Sequence, residues 1–281
     1  MTPDLHMHTT SSDGTLSPRE LVAMAARQGV TIMAITDHDT FDGVDALQGT
    51  ETAIPVLTGT ELSLRDMRGL HLLGYGMGAA AELRQAVADL AARRFTRAKR
   101  MVDKLQTLGY PLDYDAIRAE CKGTVGRMHI ARTMVSAGYV SDIREAFGRF
   151  LGDDGPAYVA GERLSMAEAL PLMRRNGFVP VLAHPAELGK DDVTLRALLG
   201  TWQNQGLMGV EVYHPSQSGR GFSALDAMVR RMGMLVTGGS DFHHVNDSHH
   251  GQPGCTAAFW RQAQADTDAL VTAMRLAVIN E

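Results

Sequence analysis

The sequence predicts an α/β fold in which a mainly parallel sheet is closed or nearly closed into a barrel, with a helical insertion. Three observations carry this. Short apolar runs alternate with helical stretches, histidine and aspartate blocks fall at the ends of four separate apolar runs, and the alternation stops between about Gly78 and Glu162. A chain of 281 residues suits one such barrel.

Strand-like runs occupy Asp4 to Met7, Thr31 to Ile35 and Val56 to Gly59. The first helix starts at Ser17-Pro18-Arg19-Glu20, where Ser17 is the N-cap, Pro18 takes the first helical position and Glu20 completes a capping box. It ends near Gly29. A short piece around Leu62 to Tyr75, with Gly69 at its turn, reads as a hairpin that carries His71 and, just before it, Glu61. Ser165 to Glu168 repeats the capping box. Strand Phe178 to Leu182, helix Asp192 to Gln205, strand Gly209 to Tyr213, helix Leu225 to Met232 and strand Met234 to Val236 follow. In the insertion, a helix over Ala79 to Leu108 is stopped by Gly109 and Pro111, and shorter helices follow at Asp113 to Glu120, Arg127 to Ala137 and Ser141 to Leu151. The expected domains are 1–77 with 163–281 as the barrel, and 78–162 as a helical insertion that closes or selects the substrate site. The basic run Arg93 to Arg100 reads as a solvated helix face.

Composition narrows the function. A net charge of −5 and a pI near 6.1 disfavour wholesale neutralisation of a nucleic-acid duplex, but leave room for a small anion in a local basic pocket. The two cysteines, Cys121 and Cys255, make neither a disulfide framework nor a thiolate zinc site. The polar start enters the first strand at once, and no run of about 18 apolar residues follows. The expectation is a cytoplasmic protein with no membrane contact and no obligate protein partner. There is no Gly-x-Ser-x-Gly elbow, and Gly74-Tyr75-Gly76 lacks the strand-turn-helix setting of a dinucleotide fingerprint.

The chemistry lies in Asp4-Leu5-His6-Met7-His8-Thr9-Thr10-Ser11-Ser12-Asp13-Gly14, Thr36-Asp37-His38-Asp39-Thr40, Ala183-His184-Pro185 and Gly238-Gly239-Ser240-Asp241-Phe242-His243. Side chains at i and i+2 leave one face of a strand, so His6 and His8 can address one metal ion, with Asp241 the carboxylate from the last strand. Asp13, His38 and His243 can make a second site. Imidazole with carboxylate suits zinc, manganese or iron rather than calcium. Of Asp37 and Asp39, which flank His38, one can orient a ligand or cap the following turn, and neither is a first choice as a ligand. His244, His249 and His250 read as solvated loop histidines. Arg127 and His129, beside Gly126 at a helix start, are either exposed residues or an anion site built from free N–H groups and a guanidinium fork. His214 ends another strand and therefore faces the same site, either to bind phosphate or to protonate a leaving oxygen.

In this order the four blocks resemble the motifs of the PHP (polymerase and histidinol phosphatase) family, and the long insert resembles its nucleotide-directed members. The resemblance spans residues 1 to about 75 and about 165 to 255. It implies a distorted (β/α)7-like PHP barrel, with Glu61 bridging the first and a third ion, and with His71 and His184 completing the third site. It also supports the anion reading of Arg127 and His129. The implied cofactors are two or three Mn2+ ions, with Zn2+ or Fe2+ as alternatives. Paired metals about 3.5–4 Å apart can hold a bridging hydroxide and stabilise both oxygens of an in-line displacement. The implied activity is removal of the 3′-phosphate from nucleoside 3′,5′-bisphosphates, with a small nucleotide, or else short RNA, as partner. Rivals are 5′-to-3′ exoribonuclease action on short 5′-phosphorylated RNA, histidinol phosphate hydrolysis, and a silent metal-binding regulatory module.

Overall fold

The computed structural model describes residues 1–121, 125–219, 221–246 and 250–279. It divides into a unit of Met1–Ala86 with Arg163–Glu281 and a unit of Val87–Glu162.

The larger unit holds strands β1 (Pro3–Asp4), β2 (Ile32–Ile35), β3 (Val56–Ser63), β4 (His71–Gly76), β5 (Phe178–Leu182), β6 (Gly209–Tyr213) and β7 (Leu235–Gly238), paired in chain order. The sheet is mixed. β4 runs antiparallel to both β3 and β5, because Arg65 to Leu70 form a short hairpin connection rather than a helical crossover. The other pairs are parallel. Closure comes from the first strand's continuation: Leu5 N–H donates to Gly238 O at 3.1 Å, His8 N–H donates to Phe242 O at 2.9 Å, and Met7 bridges Phe242. The result is a nearly closed seven-stranded barrel. The expected strand from Asp4 to Met7 is thus ladder-paired only at its start, and its later residues are held by single bonds to the end of β7, to the segment after it and to Thr36.

Helices α1 (Pro18–Arg27) and α2 (Asp42–Asp45) follow β1 and β2. The capping box at Ser17 and Glu20 forms as its sequence dictates. The buried residues Leu5, Met7, Met33, Ile35, Leu62, Leu72 and Phe178 build the core, each contributing about 1.5–3 kcal/mol through burial. Tyr75 is buried too, and its hydroxyl donates to Leu5 O at 2.8 Å.

The long helix α3 (Ala81–Thr107) begins in the barrel unit. Leu83 N–H donates to Asn176 Oδ1, Glu82 pairs with Arg175, and Arg84 pairs with Asp45 and covers Phe41. These contacts carry the boundary to Ala86, nine residues beyond the expected 77. In the smaller unit, α3 is followed by α4 (Tyr114–Glu120), α5 (Arg127–Ser136), α6 (Ile143–Ala146) and a π-helical turn at Phe147–Leu151. Met101, Val102, Leu105, Ile117, Ile130, Met134 and Leu151 form its own apolar core.

The barrel unit continues with α7 (Met166–Arg175), α8 (Asp192–Asn204), α9 (Phe222–Arg231) and α10 (Ala263–Ile279). The Ser165–Glu168 capping box is present. Helix α10 packs across β1, β4, β5 and β7. Among the described residues no helix is long and apolar enough to cross a membrane.

Candidate metal centre

His6 and His8 leave the same face of the first strand segment, with ring centroids 5.2 Å apart. Their Nε2 atoms meet two carboxylates. His6 Nε2 lies 3.3 Å from Glu61 Oε2 and 3.2 Å from Asp241 Oδ1. His8 Nε2 lies 3.3 Å and 3.0 Å from the same two oxygens. Glu61 comes from β3, and Asp241 follows β7 in a left-handed backbone with φ 53°.

The second expected group also assembles, but not around one histidine. His243 Nε2 lies 3.3 Å from Asp13 Oδ1, whereas His38 Nε2 is 3.7 Å from Asp13 Oδ2. His38 Nδ1 is closer to Glu61 Oε2, at 2.9 Å, so His38 stands between Asp13 and Glu61. His8 belongs to this cluster as well as to the first. The third group centres on Glu61 Oε1, which lies 3.0 Å from both His71 Nδ1 and His184 Nε2, themselves 3.2 Å apart.

Three of the four non-glycine residues with positive φ among the described residues are Asp39, His184 and Asp241. Such conformations cost roughly 1–3 kcal/mol each and gather at functional sites. Gly239 permits a further close approach: a Cβ there would come within 2.4 Å of His6 Cβ.

The donors fit a divalent ion. His6 Nε2, His8 Nε2, His38 Nδ1, Glu61 Oε2 and Asp241 Oδ1 are buried, and none has a hydrogen-bond partner among the described residues, although the first two lie close to both carboxylates and His38 Nδ1 close to Glu61. Buried polar atoms are normally satisfied. Cations among the nitrogen lone pairs and carboxylate oxygens would satisfy all five.

The electrostatics of the bare cluster are those of carboxylates facing imidazoles. Burial alone would hold His6 neutral, but Asp241, Glu211 and Glu61 overcome it and raise the ring well above its ordinary range. Burial would likewise protonate Glu61, yet His38, His6 and His71 hold its carboxyl well below the usual range. At His71 burial wins and the value falls.

Around these groups lies an outer layer. Asp37 accepts from Thr9 N–H at 2.7 Å, Thr9 Oγ1 at 2.7 Å and Ser12 Oγ at 2.6 Å, so it fixes the loop between His8 and Asp13 rather than His38. Asp39 accepts from Ser63 N–H at 3.0 Å, pinning the end of β3. His214 is buried with Nε2 3.3 Å from Asp241 Oδ2. Its Nδ1 faces Ser216, 3.1 Å from the N–H and 2.7 Å from Oγ.

Two expectations change. His250 is not a solvated loop residue: its side chain is only 28% exposed, its ring stacks on His243 at 4.4 Å, and its Nε2 is 3.5 Å from Asp241 Oδ2. His249 lies outside the described residues. Glu211, fully buried in β6 against His6 Nδ1, is absent from the expected set. Its signal is a lone carboxylate inside the apolar run Gly-Val-Glu-Val-Tyr.

In the smaller unit, Arg127 and His129 occupy the first turn of α5. Arg127 pairs with Asp153 at 2.8 Å, and its guanidinium lies near the Phe147 and Tyr158 rings. His129 Nδ1 accepts the Gly126 N–H at 3.0 Å and its Nε2 is 3.4 Å from Cys121 Sγ.

Comparison with known proteins identifies the family. The PHP domain model matches residues 4–114. A 5′-3′ exoribonuclease of Haemophilus influenzae is 34% identical, over 85% of this chain and 89% of that protein. A 3′,5′-nucleoside bisphosphate phosphatase of Chromobacterium violaceum is 30% identical, over 93% of this chain and 96% of that one. A solved structure from Bifidobacterium adolescentis, assigned by inference as a metal-dependent phosphoesterase, superposes with a TM-score of 0.78 at 29% identity, covering 96% of each chain. With its strand-end histidines and carboxylates in place and two relatives matching along most of its length, the chain belongs to the PHP domain family, whose members here are hydrolases of phosphate esters.

Proposed function

We propose that the protein removes the 3′-phosphate from nucleoside 3′,5′-bisphosphates, giving a nucleoside 5′-monophosphate and inorganic phosphate. The observation that carries this reading is the set of buried, unsatisfied donors on His6, His8, His38, Glu61 and Asp241. His6, His8, Glu61 and Asp241 would hold one ion, Asp13, His38 and His243 a second, and Glu61, His71 and His184 a third, with manganese the preferred metal. Divalent ions there supply Lewis acidity toward phosphate oxygens and an acidified water.

The chain's own residues supply the rest. His214 turns Nε2 toward Asp241, and the role assigned to it is to give a proton from that nitrogen to a phosphate oxygen or to bind phosphate there. Arg127 and His129 are assigned to the second phosphate. Arg127 already has a carboxylate partner, so an anion must displace Asp153 to reach its fork. His129, with Nδ1 accepting from Gly126, donates only through Nε2.

The bisphosphate substrate is favoured by the Chromobacterium violaceum relative. The Haemophilus influenzae relative favours a second reading, stepwise hydrolysis of short 5′-phosphorylated RNA by the same chemistry on a diester. A panel of nucleoside 3′,5′-bisphosphates, 5′-monophosphates, histidinol phosphate and short 5′-phosphorylated oligoribonucleotides, assayed with added Mn2+, separates them. Bisphosphates should be turned over fastest. Faster release of mononucleotides from RNA would install the second reading.

A further inference from the structure

Glu211 is fully buried in the middle of β6 and belongs to none of the three metal groups assigned above. A carboxylate is taken out of water at high cost unless its lone pairs are used. Here they are used by two residues from different parts of the barrel. Oε1 and Oε2 lie 3.0 Å and 3.2 Å from His6 Nδ1, and Oε2 also accepts the backbone N–H of His184 at 2.9 Å.

Each contact has a consequence. A carboxylate beside Nδ1 draws the proton of His6 to that nitrogen, leaving the Nε2 lone pair for the atoms it faces, Glu61 Oε2 and Asp241 Oδ1. The bond to His184 N–H pins a residue whose backbone sits at φ 22°, ψ 62°, and it is this backbone that delivers His184 Nε2 to Glu61 Oε1 at 3.0 Å. Glu211 therefore acts on the two histidines that flank opposite oxygens of Glu61.

We propose that Glu211 is a positioning residue that couples the first and third metal subsites, setting the His6 tautomer and the His184 backbone with one carboxylate. The inference rests on the metal reading of the centre. It is a role distinct from ligation: His6 Nδ1 and the His184 N–H lie on its two oxygens, and the bound-metal count below separates it from the alternative in which His6, Glu211 and His214 hold an ion of their own.

Glu211→Gln is the test, since an amide can accept from His6 or from His184 but turns an NH2 toward the other. Mn2+ titration of the metal-free variant by calorimetry should show affinity lowered roughly 10- to 100-fold. The Mn2+ content per chain at saturation should equal the wild type's. Affinity within twofold of wild type would overturn the proposal, and so would the loss of one bound equivalent, which would make Glu211 a ligand. Wild-type protein that binds no Mn2+ would instead overturn the metal reading itself. Should the variant fail to fold, the zinc-loaded wild type decides by ring-nitrogen NMR: His6 must carry its proton on Nδ1, and a proton on Nε2 refutes the coupling.

Discussion

Nε2 of His184 lies 3.0 Å from Oε1 of Glu61, with both side chains sealed from solvent. Burial alone would keep this ring neutral, but the hydrogen bond to Glu61 and its charge raise the value to about 9. In the metal-free protein the folded value lies above the ordinary 6.5. The stability this contact supplies is therefore fully present below the ordinary value and is lost as pH rises through the folded one. A bound ion displaces the proton, so metal binding strengthens with pH. Thermal unfolding across this window should show the metal-free form weakening and the gain on adding Mn2+ growing. A gain that shrinks toward high pH contradicts the assignment of His184 to a metal.

Asp13 is 49% exposed, and its ion-pair contacts are to His8, His38 and His243 of the candidate site. Asp13→Ala should leave the circular dichroism spectrum intact while lowering turnover by roughly 10²–10³-fold, the scale for losing one electrostatic stabiliser of the reacting charge. Undiminished turnover would remove Asp13 from the site.

The parts of the site that the sequence makes legible are those written at short range. His6 and His8 are paired by the two-residue repeat of a strand, and Asp241 and His243 stand at the end of an apolar run, where barrel chemistry gathers. Glu211 is not legible in this way, because its meaning lies in a partner 205 residues away. His250 sits in a polar stretch whose composition says loop, and only the folded chain shows its ring on His243. Glu61 occupies an intermediate place. The resemblance identifies it, but that its two oxygens face different histidines is a property of the β3–β4 hairpin and of the His184 backbone.

Gly239→Ala should lower stability by about 1–3 kcal/mol through overpacking, because the added Cβ would fall within 2.4 Å of His6 Cβ and 2.6 Å of His6 N. Denaturant unfolding of the metal-free protein measures this directly. An unchanged midpoint would mean that the first strand has more freedom than its packing against Gly239 allows.

Arg127→Ala separates substrate binding from chemistry. Loss of one charge-assisted contact costs roughly 1.5–3 kcal/mol, about one to two decades in kcat/KM. The loss should fall on bisphosphates and spare an aryl phosphate, which lacks the second anion. Asp153→Ala, which removes the carboxylate now paired with Arg127, should leave bisphosphate binding equal or tighter. Equal losses on both substrates for Arg127→Ala would assign that residue to the fold.

Product analysis of adenosine 3′,5′-bisphosphate, before and after exhaustive chelation and again after Mn2+ is restored, decides whether a metal centre at these residues removes the 3′-phosphate. The loaded protein should give adenosine 5′-monophosphate and inorganic phosphate, lose turnover on chelation and recover it with Mn2+. Undiminished hydrolysis by the metal-stripped protein would contradict the metal centre, and accumulation of the 3′-monophosphate would contradict the assigned orientation of the substrate.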